Sequence, residues 1–524
     1  MGAAVAALAL LSGAAWAAEE WPFPQDIPKP GPVAVGLAGA PEPDLVRHFS
    51  VRGPLGDAKI SPDGRTVAYR HEMTGVAQVY AMDLESGRSR QLSFGRRVSG
   101  FDFSPTGEIL LSADRDGDER EGYTIISVDG MKERLARERS DAFLAFGDWS
   151  ADGQRFAYAS TQRNGDDFDI FVAGADGSAP KEVYRGRFGN SVESWRPGAD
   201  QLILSETRGE DAGDIYLLDL ATGKRTVLFK PKVAAVYSGF AWKPDGSGFY
   251  LATNQDREFA ALAYYDMAKK RLSILEAPAA DVEEVALFGE GRYLAWTTNE
   301  GGYSRLHLRN LESGRDLSIP ALPEGVMNID GAAEAAKLLI HVNGPQTPGD
   351  LWLFDAASGG MARQLLGPET AGLELTRFTA PESLTFKARD GVGLQGLLYL
   401  PKTTGGAPPP VVITVHGGPT GQGRPTFDGF TEYLLARGVA TFDLNFRGST
   451  GFGKSFARLD NGRLRPNAVR DIADAIAFLQ STGRVDVSRA AVMGGSYGGY
   501  LTNAVLGEYP ELFRAGVSLV GVSD

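Results

Sequence analysis

The sequence predicts an all-β seven-bladed β-propeller followed by an incomplete α/β domain built on a mainly parallel sheet. Three observations lead there. A turn signature recurs every 43 to 47 residues from about residue 50. The repeat stops near residue 368, where short apolar strands begin to alternate with helical stretches. A chain of 524 residues is also too long for one ordinary core, so two domains are expected.

Residues 1–18 are expected to be a signal peptide and residues 19–49 an N-terminal arm. Ala3 to Ala18 is uncharged and mostly apolar, and Ala15-Trp16-Ala17 supplies the small-x-small pattern of a cleavage site. No Lys or Arg precedes the run, which departs from the usual signal pattern. The run is short and alanine-rich for a span of about 20 residues, so secretion is favoured over a stable membrane anchor, and a periplasmic or secreted location is expected. Glu19 to Pro43, with its many prolines, reads as extended.

The propeller is assigned to residues 50–368. Its signature is a turn followed by an apolar strand: Ser61-Pro62-Asp63-Gly64, Ser104-Pro105-Thr106-Gly107, Ser150-Ala151-Asp152-Gly153, Arg196-Pro197-Gly198-Ala199 and Lys243-Pro244-Asp245-Gly246. Degenerate copies follow near Gly289-Glu290-Gly291 and Ala333-Glu334, which brings the number to seven. Between them falls a second signature, a strand ending in an acidic residue and a turn, clearest at Val79–Asp83, Ile215–Asp219 and Leu351–Asp355. Short alternating strands at this period indicate one four-stranded blade per repeat rather than a helical solenoid. Trp149, Trp195 and Trp242 before the turns are expected in the packing between blades. Asp114, Asp116 and Asp118 lack the glycine and distal glutamate of a calcium loop and read as a hairpin tip.

The second domain is assigned to residues 369–524. Glu382 to Tyr399 reads as a hairpin around Asp390-Gly391, and Val411–Val415 as a buried strand that opens into His416-Gly417-Gly418-Pro419. A helix is expected over Asp428–Arg437, and a strand over Val439–Asn445 that leads into Asn445-Phe446-Arg447-Gly448-Ser449-Thr450-Gly451-Phe452-Gly453. A second helix is expected over Asn467–Thr482. A strand over Arg489–Met493 then meets Gly494-Gly495-Ser496-Tyr497-Gly498, a G-x-S-x-G match, with a helix continuing from Tyr500 to Leu506. About half a chance match of this pattern is expected in a glycine-rich chain of this length, so the pattern alone is weak. Its setting of strand, turn and helix is that of a nucleophile elbow, which makes the domain an α/β-hydrolase. Ser496 is then the candidate nucleophile, with the N–H groups of Gly417, Gly418 and Tyr497 as the candidate oxyanion hole.

In the motifs of residues 411–500 the sequence resembles the prolyl oligopeptidase family of serine peptidases, and His416-Gly417-Gly418-Pro419 places it nearer the acylaminoacyl-peptidase and oligopeptidase branch. The resemblance runs from about residue 50 to the last residue. It implies attack by Ser496 through an acyl-enzyme on short peptides, with the propeller restricting access. No cofactor or metal is implied. In α/β-hydrolases the acid and the histidine of the triad follow the serine. Only 28 residues follow Ser496, and the five histidines, His48, His71, His307, His341 and His416, all precede it. His416 is read as orienting the oxyanion loop rather than as the base, and Asp524 sits too early to be the triad acid. The chain is therefore expected to be the N-terminal portion of a longer peptidase, inactive as given.

Composition narrows the alternatives. A net charge of −13 repels a phosphate backbone, so no nucleic-acid partner is expected. The absence of cysteine removes thiolate nucleophiles, disulfides and zinc–cysteine sites. A carboxylesterase on the same scaffold and a non-catalytic interaction protein working through its propeller remain open. No acidic pair for gripping a peptide N-terminus stands out, and Glu283-Glu284 reads as a surface turn.

Overall fold

The structure, a computed structural model, describes residues 44–522 apart from 210–211, 359 and 403–405. The expected signal peptide, the expected arm as far as Pro43, and Asp524 lie outside the described residues.

Seven four-stranded antiparallel sheets follow one another, and within each the strands keep chain order. Their first strands are Lys59–Ile60, Val98–Phe103, Leu144–Trp149, Asn190–Trp195, Tyr237–Trp242, Asp281–Phe288 and Val326–Gly331, which define blades 1 to 7. The recurrent turn has a physical basis. The Ser61 hydroxyl donates to Asp63 at 2.6 Å and the same carboxylate accepts from the Arg65 N–H at 3.0 Å, while Ser150 and Gln154 do likewise to Asp152. This Asx-type bonding closes the link between the first and second strands of a blade and fixes their register.

Successive blades are joined by apolar packing. One cluster joins blade 1 through Ala68 and Val79 to blade 2 through Phe101 and Ile109, and another joins blade 4 through Ile203 and Phe229 to blade 5 through Tyr237 and Phe249. Ile60, Val67 and Tyr69 of blade 1 share a cluster with Leu339, Leu351 and Leu353 of blade 7, which closes the ring. Hydrogen bonds reinforce the closure: the Ile60 N–H donates to Asp330 at 2.8 Å, and Arg52 and Glu369 exchange backbone bonds of 2.9 and 2.7 Å. The tryptophans lie in this packing as expected: Trp149 between blades 2 and 3, Trp195 between 3 and 4, and a half-buried Trp242 between 4 and 5.

One reading changes. Glu283 and Glu284 are not on a surface turn but inside the first strand of blade 6, Asp281–Phe288. The acidic pair hid the strand because Glu283 pairs with Arg424 of the second domain, so the strand carries charge where an ordinary core strand would carry apolar residues.

The second domain is a six-stranded sheet in the order Glu382–Lys387, Gly393–Tyr399, Ala440–Asn445, Pro410–Val415, Asp486–Gly495, Ala515–Leu519. The first two pairings are antiparallel and the rest parallel. Helix Pro466–Thr482 buries Val469, Ile472, Ile476 and Leu479 against Ile413, Phe442 and Val492, and Gly483 stops it in a left-handed cap. Helix Gly429–Ala436 is capped by Asp428, whose carboxylate accepts from the N–H groups of Phe430 and Thr431. The last strand is exposed along its whole length, including Val517 and Leu519.

Glu432 on this second helix is buried and accepts from the Thr379 N–H at 3.1 Å. Burial pushes its carboxyl up from 4.5 to about 7. The unfolded chain ionises this group first, so its contribution to stability is fully present below pH 4.5 and is lost as the pH rises toward 7. Urea unfolding of Glu432→Gln between pH 4 and 8 should show a shallower fall than the parent, with a difference of up to about 3 kcal/mol. Parallel curves would refute this.

Candidate active site

Ser496 stands between strand Asp486–Gly495 and helix Tyr497–Glu508, and it is exposed. Its φ of +54° is uncommon for a residue with a side chain. Two neighbours hold it there. Its N–H donates to the Leu519 carbonyl of the adjacent strand at 2.9 Å, and its carbonyl accepts from the Tyr500 N–H at 3.0 Å. The flanking glycines are sterically required: a Cβ on Gly494 would lie 2.4 Å from the Gly498 oxygen, and one on Gly498 would lie 2.1 Å from the Val415 oxygen. The helix starts at Tyr497, three residues before the expected Tyr500, because the Gly498-Gly499 pair that weakens intrinsic helicity is what lets the helix press onto the sheet.

The loop after strand Pro410–Val415 comes up beside this turn. A Cβ on Gly417 would sit 3.4 Å from the Ser496 Cβ and 3.3 Å from the Gly495 oxygen. Tyr497 is the first residue of its helix, so its N–H has no acceptor within that helix. Ser496, Gly417 and the start of the Tyr497 helix thus lie together, with Gly418 next in the loop and exposed.

The segment Asn445–Gly453, which had no assigned role, supports this loop. The Asn445 amide accepts from the Gly423 N–H at 2.7 Å and donates to its carbonyl at 3.1 Å. Ser449 Oγ lies 2.7 Å from His416 Nε2 and 2.7 Å from the Phe446 carbonyl oxygen, between the two. Arg447 is buried with Asp471: its Nη2 and Nε donate to that carboxylate at 2.7 and 2.9 Å, and its Nη1 donates to Asp390 at 2.7 Å. Asp460, fully buried, accepts from the Tyr497 hydroxyl at 2.9 Å. Conserving these contacts requires long-range partners, so no spacing in the sequence announces them.

His416 is engaged on both sides. Its Nδ1 lies 2.8 Å from the Gly417 oxygen, its ring stacks on Phe446 at 4.4 Å, and burial lowers its pKa. The other histidines lie elsewhere: His48 against Tyr433, His71 in blade 1, His307 stacked on Trp296 and His341 bonded to the Pro54 carbonyl. Among the described residues no cluster of His, Asp and Glu is arranged to hold a metal ion. A cavity of about 190 Å³ lies between blades 5 and 6 and residues 450–457, lined in part by Asn254, Asp281, Glu283 and Lys454.

Residues 425–524 match the model of the Prolyl oligopeptidase family. In this segment the chain is similar to the prolyl oligopeptidase family. Among curated relatives, dipeptidyl aminopeptidase BIII of Pseudoxanthomonas mexicana is 26% identical over 465 residues, which is 85% of this chain and 60% of that protein. The human acylamino-acid-releasing enzyme is 33% identical over 133 residues, 24% of this chain and 18% of that one. A crystal structure of puromycin hydrolase superposes with a TM-score of 0.78 at 20% identity, covering 94% of this chain and 80% of that chain. The chain therefore spans about 60% of the length of the aminopeptidase it matches. The arginine of the Asn-x-Arg-Gly segment is a buried structural ion, and its partner can be tested. Removing Asp471 leaves a buried guanidinium short of a counter-ion, so Asp471→Ala should lose about 3–5 kcal/mol in urea unfolding, against about 1 kcal/mol or less for the half-exposed Asp390→Ala. Equal losses would contradict this.

Proposed function

We propose that this protein is a serine-type peptidase that hydrolyses short peptides. Ser496 attacks the scissile carbonyl, the N–H groups of Gly417, Gly418 and Tyr497 receive the developing oxyanion, and an acyl-enzyme forms and is released by water. The observation that carries this reading is the strained serine turn with Gly417 packed against it. The proton acceptor is none of the five histidines of this chain, since each is engaged away from Ser496. The propeller, a closed ring beside the site, limits what enters to short or extended chains. A carboxylesterase on the same amides is the second reading, because an ester carbonyl needs the same oxyanion stabilisation.

In protein expressed from the intact gene, Ser496→Ala should lower kcat on short peptides by at least about 10⁴-fold, and a fluorophosphonate should label Ser496 in the parent. Activity indifferent to Ser496 would exclude the serine mechanism, and turnover of simple esters without peptides would favour the esterase.

We also propose that residues 1–18 direct export to the periplasm or the medium. The apolar run ending at Ala15-Trp16-Ala17 supports this. Mass spectrometry of the mature protein should find its N-terminus at or next to Glu19, and recovery of the intact run on purified protein would reject it.

A further inference from the structure

The segment that follows Gly417-Gly418 is gripped from two sides in strict alternation. Residues 421 and 423 are held by the hydrolase domain: the Gly421 carbonyl accepts from the Thr450 N–H at 2.8 Å, and Gly423 exchanges both backbone bonds with the Asn445 amide. Residues 422 and 424 are held by blade 6. Asn299 donates to the Gln422 side chain at 2.6 Å. Arg424 Nη1 donates to both oxygens of Glu283 at 2.8 and 3.0 Å, its Nε to the Gly302 carbonyl at 2.8 Å and its Nη2 to Ser304 at 3.2 Å. Such alternation is the geometry of an extended strap, whose successive residues face opposite ways.

The propeller side of this grip is a built network. Asn299 Nδ2 also donates to Glu283 at 2.9 Å, and Asn299 Oδ1 accepts from the Gly302 N–H at 3.0 Å. Asn299 and Ser304 are buried, and Arg424 is shielded on both sides, so water competes weakly for these bonds. Gly302, with φ +94°, lets the blade 6 hairpin approach: a Cβ there would already be 3.0 Å from Pro425 Cδ. The strap itself has glycine at 417, 418, 421 and 423, so it has much backbone freedom to lose and needs outside pins to stay in one conformation.

We propose that Glu283 and Asn299 of blade 6 are positioning residues for the reaction, holding the Gly417-Gly418 amides in register with Ser496 through Arg424 and Gln422. The inference rests on the peptidase reading and deepens it: the propeller completes the geometry of the oxyanion loop in addition to screening substrates. Only interactions aimed at where charge develops in the transition state raise kcat, so a loosened strap costs turnover more than binding.

The test uses protein expressed from the intact gene. Glu283→Gln keeps the shape and removes the charge, and Asn299→Ala removes the bridge to Gln422. Each should lower kcat about tenfold with KM changed by less than about threefold, and the double variant should lose little more than either single one, since both act through one network. Hydrogen exchange at the amides of residues 417–424 should quicken about tenfold in the same variants. Should the blade 6 variants not fold, Arg424→Gln alters only the strap and is read in the same way. Unchanged kcat together with unchanged exchange would overturn the proposal, as would a loss carried wholly by KM. A Ser496→Ala protein that retained activity would instead overturn the peptidase reading, while the exchange measurement would still report on the clamp.

Discussion

The φ of +54° at Ser496 is the constraint on which the hydrolase half depends. A non-glycine residue in that region costs on the order of 1–2 kcal/mol, and it persists only where its surroundings over-determine it. Here they do. The N–H and carbonyl of Ser496 are both bonded, to Leu519 and Tyr500, and the strand and helix that flank it touch through glycine backbone at 494 and 498. The close contact has a second effect. With Gly498 packed on the Val415 oxygen, the start of the elbow helix is fixed against the end of the strand that feeds the Gly417-Gly418 loop. One steric requirement thus aligns the serine, the first free N–H of the helix and the neighbouring loop.

That alignment is passive at the strand ends and must be maintained actively in the loop. Strand Pro410–Val415 is pinned on both sides by parallel neighbours, but beyond Val415 the chain is rich in glycine and leaves the sheet. Apart from the Thr450 N–H bond to the Gly421 carbonyl, the later anchors are side chains reaching across: Ser449 to His416, Asn445 to Gly423, Arg424 to Glu283. Asn445 can serve because it is itself buried at a strand end, and Arg447 two residues on is locked between Asp471 and Asp390. The Asn-x-Arg-Gly-Ser run is therefore a buttress whose own foundation is a buried ion pair.

These differences in physical origin decide what the sequence discloses. Blades are legible because each repeats the same local bargain of serine, aspartate and glycine at a turn, as at Ser61-Asp63 and Ser150-Asp152. The elbow is legible because steric exclusion leaves glycine as the only residue at fixed offsets from Ser496. Helix Pro466–Thr482 is legible because its buried face repeats at helical spacing, and it begins within one residue of the expected Asn467. Glu283 was misread because its partner, Arg424, is 141 residues away and no local pattern encodes the pair. Asn445, Ser449 and Arg447 stood out as a motif, yet their tasks became visible only when the fold brought Gly423, His416 and Asp471 beside them.

The same reasoning explains why a histidine can sit at the mouth of the site without acting as its base. A general base needs a free ring nitrogen facing the hydroxyl and a pKa near the working pH. His416 has one nitrogen against Ser449 and the other against the Gly417 oxygen, and burial favours its neutral form. A ring stacked on Phe446 and bonded through both nitrogens is well suited to hold a loop. Its place in the sequence beside two glycines thus follows from stiffness: where the backbone is given freedom, the residue before it is the one its side chain holds in place.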